Sequence, residues 1–323
     1  MPRLPLALLS LALLSAGPAW AQALAPAQPA PSAPTAQPAP STQPTPPPAA
    51  QPAAPQFSVT KVDGTDNVYI FRYRFHQSMF IVTPQGVIAT DPIALGVREG
   101  AKTYLEEIQK ITKAPIRYVI YSHHHLDHIA GGKPFKDAGA KFVAHKIAKD
   151  RLAQLKNPDV VIPDEVVDNK KTITLGGTTV ELHYVGRNHS DNSLVVRLPK
   201  EKIIFTVDFI PIQGVAWRSM QDYPSLTELE RSIERVLAMD WDRMIAGHPG
   251  PGGRQIGNKK DAEDHLAYLR DLSAEAKKAN AEGKCYDTAM KEIKLPKYAT
   301  FSGYEQQLAG NIERYCYFHR VGT

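Results

Sequence analysis

One short stretch, residues 121–128, constrains this chain more than any other. It reads Tyr-Ser-His-His-His-Leu-Asp-His and places four metal-binding side chains close together: His123, His125, Asp127 and His128. The apolar run at residues 116–121 predicts a short buried strand, and the glycines that follow the stretch predict a turn. Neutral imidazoles and carboxylates are ligands that zinc accepts. The stretch therefore predicts a metal site at the end of a strand.

A tract rich in histidine can also be a solvated loop or a metal-scavenging tail. The spacing His-x-His-x-Asp-His is rarer than histidine-rich composition, and it predicts further ligands downstream. Three later segments supply them: His189 follows a predicted strand, Asp208 ends the apolar run at residues 202–207, and His248 follows a short run at residues 243–246. Strand ends along one sheet edge converge, so we expect all seven residues to meet there.

This ordered set resembles the metallo-β-lactamase superfamily, and the resemblance covers about residues 67–250. It implies an α/β fold, a four-layer αββα sandwich with a two-metal site at one edge of the packed sheets. The cofactors implied are two Zn²⁺ ions, although imidazole and carboxylate ligands do not by themselves exclude iron or manganese. Carried over by position, the first metal binds His123, His125 and His189, the second binds Asp127, His128 and His248, and Asp208 bridges both.

Asp208 points to one branch of this family. The best-known zinc β-lactamases carry Cys or Ser at this position, whereas an Asp resembles the branch of glyoxalase II-type and lactonase-type hydrolases. The resemblance implies a zinc-dependent hydrolase in which two metals activate water, with Asp127 and Asp208 as catalytic residues. The expected substrate is a small ester, thioester or lactone, with weak β-lactam hydrolysis as a side activity. Two alternatives stay open: an iron-dependent sulfur dioxygenase of the same fold, and a non-catalytic metal-binding or partner-binding module.

The first part of the chain has two segments of unusual composition. Residues 1–21 have the pattern of a secretory signal peptide, with Arg3, an apolar run and a small-residue cleavage site. Residues 22–56 are almost wholly Ala, Pro, Gln, Ser and Thr, which favours an uncharged, disordered tether; a ligand for a proline-reading domain is the alternative. The hydrolase domain is predicted over residues 57–323, with a helical C-terminal part. We expect export to a bacterial periplasm or beyond, and a disulfide between Cys285 and Cys316.

The charge pattern narrows the choice of partners. The formal net charge of +5 is spread along the chain, without a Lys/Arg block or basic residues interleaved with aromatics. A nucleic-acid partner is therefore not expected, and neither is a membrane span in the mature chain. The expected partner is a small-molecule substrate, and the oligomeric state is left open.

Two predicted loops supply candidates for substrate contact. Residues 74–78 interrupt the first predicted strands, and residues 211–223 follow Asp208. Loops on a rigid scaffold commonly determine specificity. The candidates are His76, Trp217, Arg218 and Tyr223, with simple packing or solvation as the alternative. Three further residues lie near the predicted site, and two of them have two interpretations each. Asp91 and Asn192 either orient ligands or belong to turns, and His124 is expected to point away from the metals.

Overall fold

The computed structural model describes residues 55–94, 98–217 and 220–322. Within these residues the chain forms thirteen strands and eight helices. The strands are β1 (Phe57–Lys61), β2 (Val68–Tyr73), β3 (His76–Thr83), β4 (Gly86–Thr90), β5 (Ile116–Ile120), β6 (Lys141–His145), β7 (Glu165–Val167), β8 (Lys170–Leu175), β9 (Thr178–Tyr184), β10 (Leu194–Leu198), β11 (Ile203–Val207), β12 (Arg243–Ala246) and β13 (Ile256–Gly257). The helices are α1 (Arg98–Ile111), α2 (Leu126–Ile129), α3 (Lys133–Asp137), α4 (Lys146–Leu155), α5 (Leu226–Leu237), α6 (Lys259–Ala281), α7 (Asp287–Glu292) and α8 (Tyr304–Val321).

The described strands form two sheets. The first contains seven strands in the order β1 to β7, and the second contains six strands in the order β13-β12-β11-β10-β9-β8. Strands β4 to β7 run parallel to one another, as do β11 and β12. Parallel neighbours need a crossover connection, and helices supply it: α1 joins β4 to β5, and α5 joins β11 to β12.

The alternation of side chains along the strands produces three cores. In β4, Ile88 packs between the two sheets, whereas Val87 and Ala89 point to the outer face of the first sheet. In β11, Phe205 joins the core between the sheets and Ile204 joins the outer core of the second sheet. Successive strand residues point to opposite faces, so each sheet is buried on both sides. Helices cover both outer faces, and the predicted four-layer αββα sandwich is confirmed.

Helix α5 shows how the sequence forms one of these outer layers. The side chain of Ser225 accepts a hydrogen bond from the backbone N–H of Glu228, which caps the first turn. Leu229, Ile233 and Val236 then recur at helical spacing and are buried against the second sheet. An amphipathic helix is what this spacing predicts from the sequence, and α5 spans Leu226–Leu237.

Three features of the fold can be compared with predictions made from the sequence. Cys285 and Cys316 form the predicted disulfide, which joins the segment before α7 to α8. Residues 76–78, predicted as part of a loop, instead begin β3, because the turn after β2 contains only Arg74 and Phe75. Among the described helices, none is long and apolar enough to cross a membrane. The predicted signal peptide and nearly all of the predicted tether lie outside the described residues.

Candidate metal centre

The predicted ligands lie just beyond the carboxyl ends of strands from both sheets. His123, His125, Asp127 and His128 follow β5 of the first sheet. His189, Asp208 and His248 follow β9, β11 and β12 of the second sheet. The first set includes the short helix α2, whose single turn carries Asp127 and His128 side by side. The structure thus brings together all seven residues predicted from the sequence.

One group contains three imidazoles: His123, His125 and His189. Each offers a nitrogen within 4.8 Å of the others. The Nδ1 of His125 lies 2.8 Å from the Nε2 of His189, and the rings of His123 and His125 meet edge to face at 4.5 Å. Three nitrogen donors that converge from two loops match the protein ligands of a tetrahedral metal site with one further position.

A second group lies beside the first and contains four residues: His76, Asp127, His128 and His248. Its donor atoms also lie within 4.8 Å of one another. The Nε2 of His76 is 3.3 Å from the Oδ2 of Asp127, and the Nε2 of His128 is 3.9 Å from the same oxygen. His76 was expected at the mouth as a substrate contact, and its place within this group is a finding that the sequence did not predict.

The Asp208 carboxylate lies between the two groups. Its Oδ2 is 3.0 Å from the Nε2 of His128, 3.6 Å from the Nε2 of His189 and 4.0 Å from the Nε2 of His123. Its Oδ1 is 3.4 Å from the Nε2 of His248. One carboxylate therefore faces nitrogens from both groups, as a residue shared by two cations would.

The backbone around Asp208 is shaped to allow this approach. The pairing of β11 with β12 shifts register between Phe205 and Val207, and Val207 has a positive φ of 54°. Such a shift redirects the next side chain, here Asp208. Gly247 faces this carboxylate, and a Cβ there would overlap Asp208 Oδ1 and lie 2.9 Å from His128 Cε1. Glycine is therefore required at position 247 by close packing.

Several ligands are oriented by a second hydrogen bond or ion pair. The Nδ1 of His123 is 2.9 Å from Ser122 Oγ, and the Nδ1 of His248 is 2.7 Å from the carbonyl oxygen of Phe75. Both contacts leave the Nε2 atom to face the centre, as outer partners of metal-binding histidines do. Asp91 accepts a hydrogen bond from Ser122 N, and its Oδ2 lies 3.7 Å from the Nδ1 of His128. The structure thus favours the orienting role for Asp91.

His124 points away from the ligands. Its ring lies 3.0 Å from Arg151 Nη1, and its Nδ1 lies 2.9 Å from Asn192 Nδ2. Arg151 also forms an ion pair with Asp191. Asn192 therefore contacts His124, and this network joins the loop after β5 to the loop after β9.

Burial and charge set the protonation of the centre. Burial lowers the pKa of His123 well below its usual range and that of His189 to about 4, so both keep a lone pair at neutral pH. Burial raises the pKa of Asp208, but His128 and His248 outweigh this and hold it well below its usual range. Burial lowers the pKa of His128, but Asp208 and Asp91 raise it well above the usual value. A cation that binds His128 Nε2 must displace a proton.

The donor set fits a pair of divalent cations. The Nε2 of His123 and the Oδ1 of Asp208 are buried without a hydrogen-bond partner among the described atoms. Buried polar atoms are normally hydrogen-bonded, so such atoms at a convergent site call for another kind of partner. Imidazole nitrogens and carboxylate oxygens are the ligands of zinc and of related metals.

The other candidates for substrate contact are placed differently. Trp217 lies in the cleft wall, with its ring centroid 6.4 Å from that of His248. Tyr223 is only 2% exposed and packs edge to face on His189, so its prediction as a substrate contact is wrong. Tyr223 belongs to the outer core of the second sheet and packs behind His189. Arg218 lies outside the described residues.

A cleft of about 620 Å³ opens onto both groups. The apolar part of its lining includes Phe75, Trp217 and Pro249, and Ser302 lies there as well. Phe75, Pro249 and Ser302 were not predicted from the sequence. Phe75 lies in the loop at residues 74–78 that the sequence offered for substrate contact, and Pro249 directly follows a predicted ligand, so both could have been found from the sequence, whereas Ser302 could not.

Comparisons with known proteins agree with this geometry. A family model described as the metallo-beta-lactamase superfamily matches residues 94–248. The 2,4-dinitroanisole O-demethylase subunit alpha of Nocardioides sp. (strain JS1661) is 25% identical over 166 residues, or 50% of this chain and 49% of that protein. A metallo-beta-lactamase type 2 of Elizabethkingia meningoseptica is 26% identical over 159 residues, or 46% of this chain and 61% of that protein. The chain thus spans about half to three-fifths of the length of these curated relatives.

A solved structure supports the fold independently. A metallo-beta-lactamase from Pontibacter korlensis aligns with a TM-score of 0.58 at 19% identity, covering 67% of this chain and all of that one. The segment that the family model matches contains every one of the seven convergent ligands. The order of those candidate ligands, the two packed sheets and the matched segment lead to one conclusion: the segment at residues 94–248 belongs to the metallo-β-lactamase superfamily.

Proposed function

We propose that this chain is an exported, zinc-dependent hydrolase with a two-metal centre, acting on a small ester, thioester or lactone. The observation that carries the proposal is the position of Asp208. Its Oδ2 faces His189 of the first group and His128 of the second, and its Oδ1 faces His248 of the second. A carboxylate shared by two donor groups is an arrangement suited to two adjacent cations.

Each group of residues has a role in this proposal. His123, His125 and His189 would hold the first ion, and Asp127, His128 and His248 would hold the second, with Asp208 shared. When bound, two zinc ions supply Lewis acidity, which makes a water molecule more acidic and polarises a carbonyl group. The chain supplies imidazole and carboxylate donors, and Ser122, Asp91 and the Phe75 carbonyl face the outer nitrogens of three of the rings. Preset ligands of this kind need little rearrangement during the reaction.

The cleft supports a small and partly apolar substrate. Its volume of about 620 Å³ is in the range of small-molecule sites. Phe75 is 76% exposed and Trp217 38% exposed, although large apolar side chains are usually buried. Both line the cleft, so they can contact the acyl or alcohol portion while the carbonyl faces the ligands.

Export is supported by two separate features. Residues 1–21 have the composition of a signal peptide, and Cys285 and Cys316 form a disulfide. Disulfides persist in oxidising compartments such as the bacterial periplasm. Cell fractionation of the full chain, with a version lacking residues 2–21 as the control, tests this part. Equal cytoplasmic retention of both versions would contradict export.

Metal dependence is tested first. Purified protein is analysed for metals without supplementation, stripped with a chelator and reloaded with zinc or iron. We expect two metal ions per chain, loss of turnover on stripping, and recovery with zinc. Recovery with iron alone, together with oxygen consumption on a persulfide, would favour the sulfur dioxygenase instead. A stripped chain that keeps full turnover would refute the metal mechanism.

The substrate is sought with a panel of chromogenic esters, thioesters, lactones and a cephalosporin. The panel includes 2,4-dinitroanisole, because one relative is named for its demethylation. We expect the highest kcat/KM on an ester, thioester or lactone and a low value on the cephalosporin. A serine-directed inhibitor should leave turnover unchanged, although Ser302 lines the cleft. If the fully metallated chain turns over none of the compounds in the panel, the binding-module alternative is favoured.

A further inference from the structure

We propose that His76 is a ligand of the second metal ion, in addition to Asp127, His128 and His248. The inference rests on the two-metal centre of the proposed function but not on the substrate. His76 offers a nitrogen within 4.8 Å of the donor atoms of the other three residues. These four residues come from three separate segments: the start of β3, the loop after β5 with α2, and the loop after β12.

The backbone holds His76 firmly next to His248. The turn between β2 and β3 contains only Arg74 and Phe75, and Tyr73 pairs directly with His76. The backbone N–H of Gln77 donates to the Gly247 carbonyl at 2.7 Å, and its side-chain amide donates to the Ala246 carbonyl at 3.0 Å. The hairpin carrying His76 is therefore fastened to the loop that carries His248.

A contact with the turn strengthens this link. The Nδ1 of His248 is 2.7 Å from the carbonyl oxygen of Phe75, the residue before His76. The rings of His76 and His248 lie 4.6 Å apart, and those of His76 and His128 lie 5.2 Å apart. The hairpin of β2 and β3 thus orients His248 through the Phe75 carbonyl, and it also places the His76 imidazole beside the His248 ring.

A plain hydrogen bond is the competing explanation. The Nε2 of His76 lies 3.3 Å from Asp127 Oδ2, and His76 could serve only to orient that carboxylate. The same oxygen, however, is also approached by the Nε2 of His128, and His248 completes the group. Three imidazoles and one carboxylate, whose donor atoms all lie within 4.8 Å of one another, can supply a full zinc coordination set, which a single oriented pair would not require.

The added ligand makes the two sites unequal. The first site has three histidines before the shared Asp208 is counted, whereas the second has four residues of its own. With the shared Asp208 counted, the first site has four protein ligands and the second has five. The second site should therefore bind its ion more tightly than the first, which has one protein ligand fewer.

The test is the substitution His76→Gln. Glutamine keeps a hydrogen-bond donor but is a poor metal ligand. His183→Gln is a matched control, because His183 also contacts a carboxylate, Glu181, at 3.0 Å with similar exposure. Stripped proteins are titrated with Co²⁺ in the presence of a competing chelator, and the visible absorption of the bound ion is recorded. We expect His76→Gln to weaken one of two sites by at least about 10-fold and to change its spectrum. His183→Gln should match the original chain.

A second measurement needs no variant and so does not depend on its folding. The original chain is labelled with ¹⁵N in its histidines and loaded with ¹¹³Cd, and one-bond ¹¹³Cd–¹⁵N couplings are counted. The inference requires six coupled histidines: His76, His123, His125, His128, His189 and His248. Two bound ions with only the other five histidines coupled would overturn it and leave the proposed function intact. A chain that binds no metal would overturn both.

Discussion

The Oδ2 of Asp91 lies 3.7 Å from the Nδ1 of His128, and neither side chain is exposed to solvent. The other oxygen of Asp91 accepts a hydrogen bond from the backbone N–H of Ser122 at 2.8 Å. Asp91 follows β4 and His128 follows β5, so the contact joins the ends of two adjacent strands. This carboxylate faces the outer nitrogen of the ring that lies nearest to Asp208.

Asp91→Asn should weaken metal binding while leaving the fold in place. The amide keeps the size of the side chain but loses the charge that stabilises the His128 ring. Outer partners of metal-binding histidines typically contribute 10–100-fold in affinity or activity, and we expect a loss of about that size. Chelator competition measures the affinity, and circular dichroism checks the fold. Unchanged zinc affinity in a folded variant would show that Asp91 has a local structural role only.

Asp208→Ala should remove one metal ion and reduce kcat by more than about 100-fold, beyond the range for outer partners. The carboxylate faces both donor groups, so its loss leaves neighbouring cations without a shared anion. Metal content and turnover on the best substrate are the measurements. Asp137→Ala is the control, since that carboxylate is 61% exposed and pairs with Lys133 at the surface. Two metals and near-normal turnover in Asp208→Ala would contradict the bridging role.

Gly247→Ala should disturb the same centre through space alone. The added Cβ would overlap Asp208 Oδ1 and crowd His128 and Val207. We expect metal content to fall below two ions per chain, and turnover to fall with it. Thermal unfolding of the metal-free protein is measured as well. It shows whether the sheets accommodate the added Cβ without a loss of overall stability. A variant with full metal content and turnover would show that the loop after β12 moves easily.

Removal of the Cys285–Cys316 disulfide should lower the free energy of unfolding without altering the metal site. The two residues are 31 positions apart, for which the chain-entropy model gives a stabilisation of about 3–4 kcal/mol. Urea unfolding of the double Cys→Ser variant measures the change, and zinc affinity serves as the internal control. Two free thiols in the denatured, non-reduced original chain would show that the bond does not form.

Residues 22–54 should be dispensable for catalysis, since they precede every ligand and lack apolar content for a core. Pro55 and Gln56, which the sequence places in the tether, bind the first hairpin instead. The Pro55 carbonyl accepts from Arg72, and the Gln56 carbonyl accepts from the backbone N–H of Arg74 at 2.7 Å. A chain beginning at Pro55 should keep its metal content and kcat. A truncated chain that folds but lacks activity would show that the tether contributes to the active site.

The seven candidate ligands were predictable because all of them follow strand ends, four after β5 and one each after β9, β11 and β12. His189, Asp208 and His248 each follow an apolar run, and the order of strands then fixes their convergence. The same logic could not find His76, since its role depends on how the first hairpin packs on the loop after β12. Sequence spacing carries no information about that contact. Tyr223 was misplaced for a similar reason, because its burial depends on the path of the segment after Asp208.

The edge strands show another limit of sequence patterns. Strand β7 has three residues and β13 has two, too few for an alternation of apolar and polar side chains to be recognised. Their pairing is decided by the neighbouring strands β6 and β12. The longer strands and the helices α4 and α5 were predictable because their periodicity extends over enough residues.

The backbone conformation of Val207 places Asp208 between the two groups without any bound ion. A β-branched residue with positive φ is strained by about 1–3 kcal/mol and persists only where its surroundings impose it. Here β12 imposes it: the Val207 carbonyl accepts from the backbone N–H of Gly247 at 2.8 Å, and the side chain is buried between the sheets. Packing of the two sheets therefore positions the Asp208 carboxylate before any ion binds. The strain at Val207 lowers the stability of the fold, and a preorganised carboxylate is what results from it.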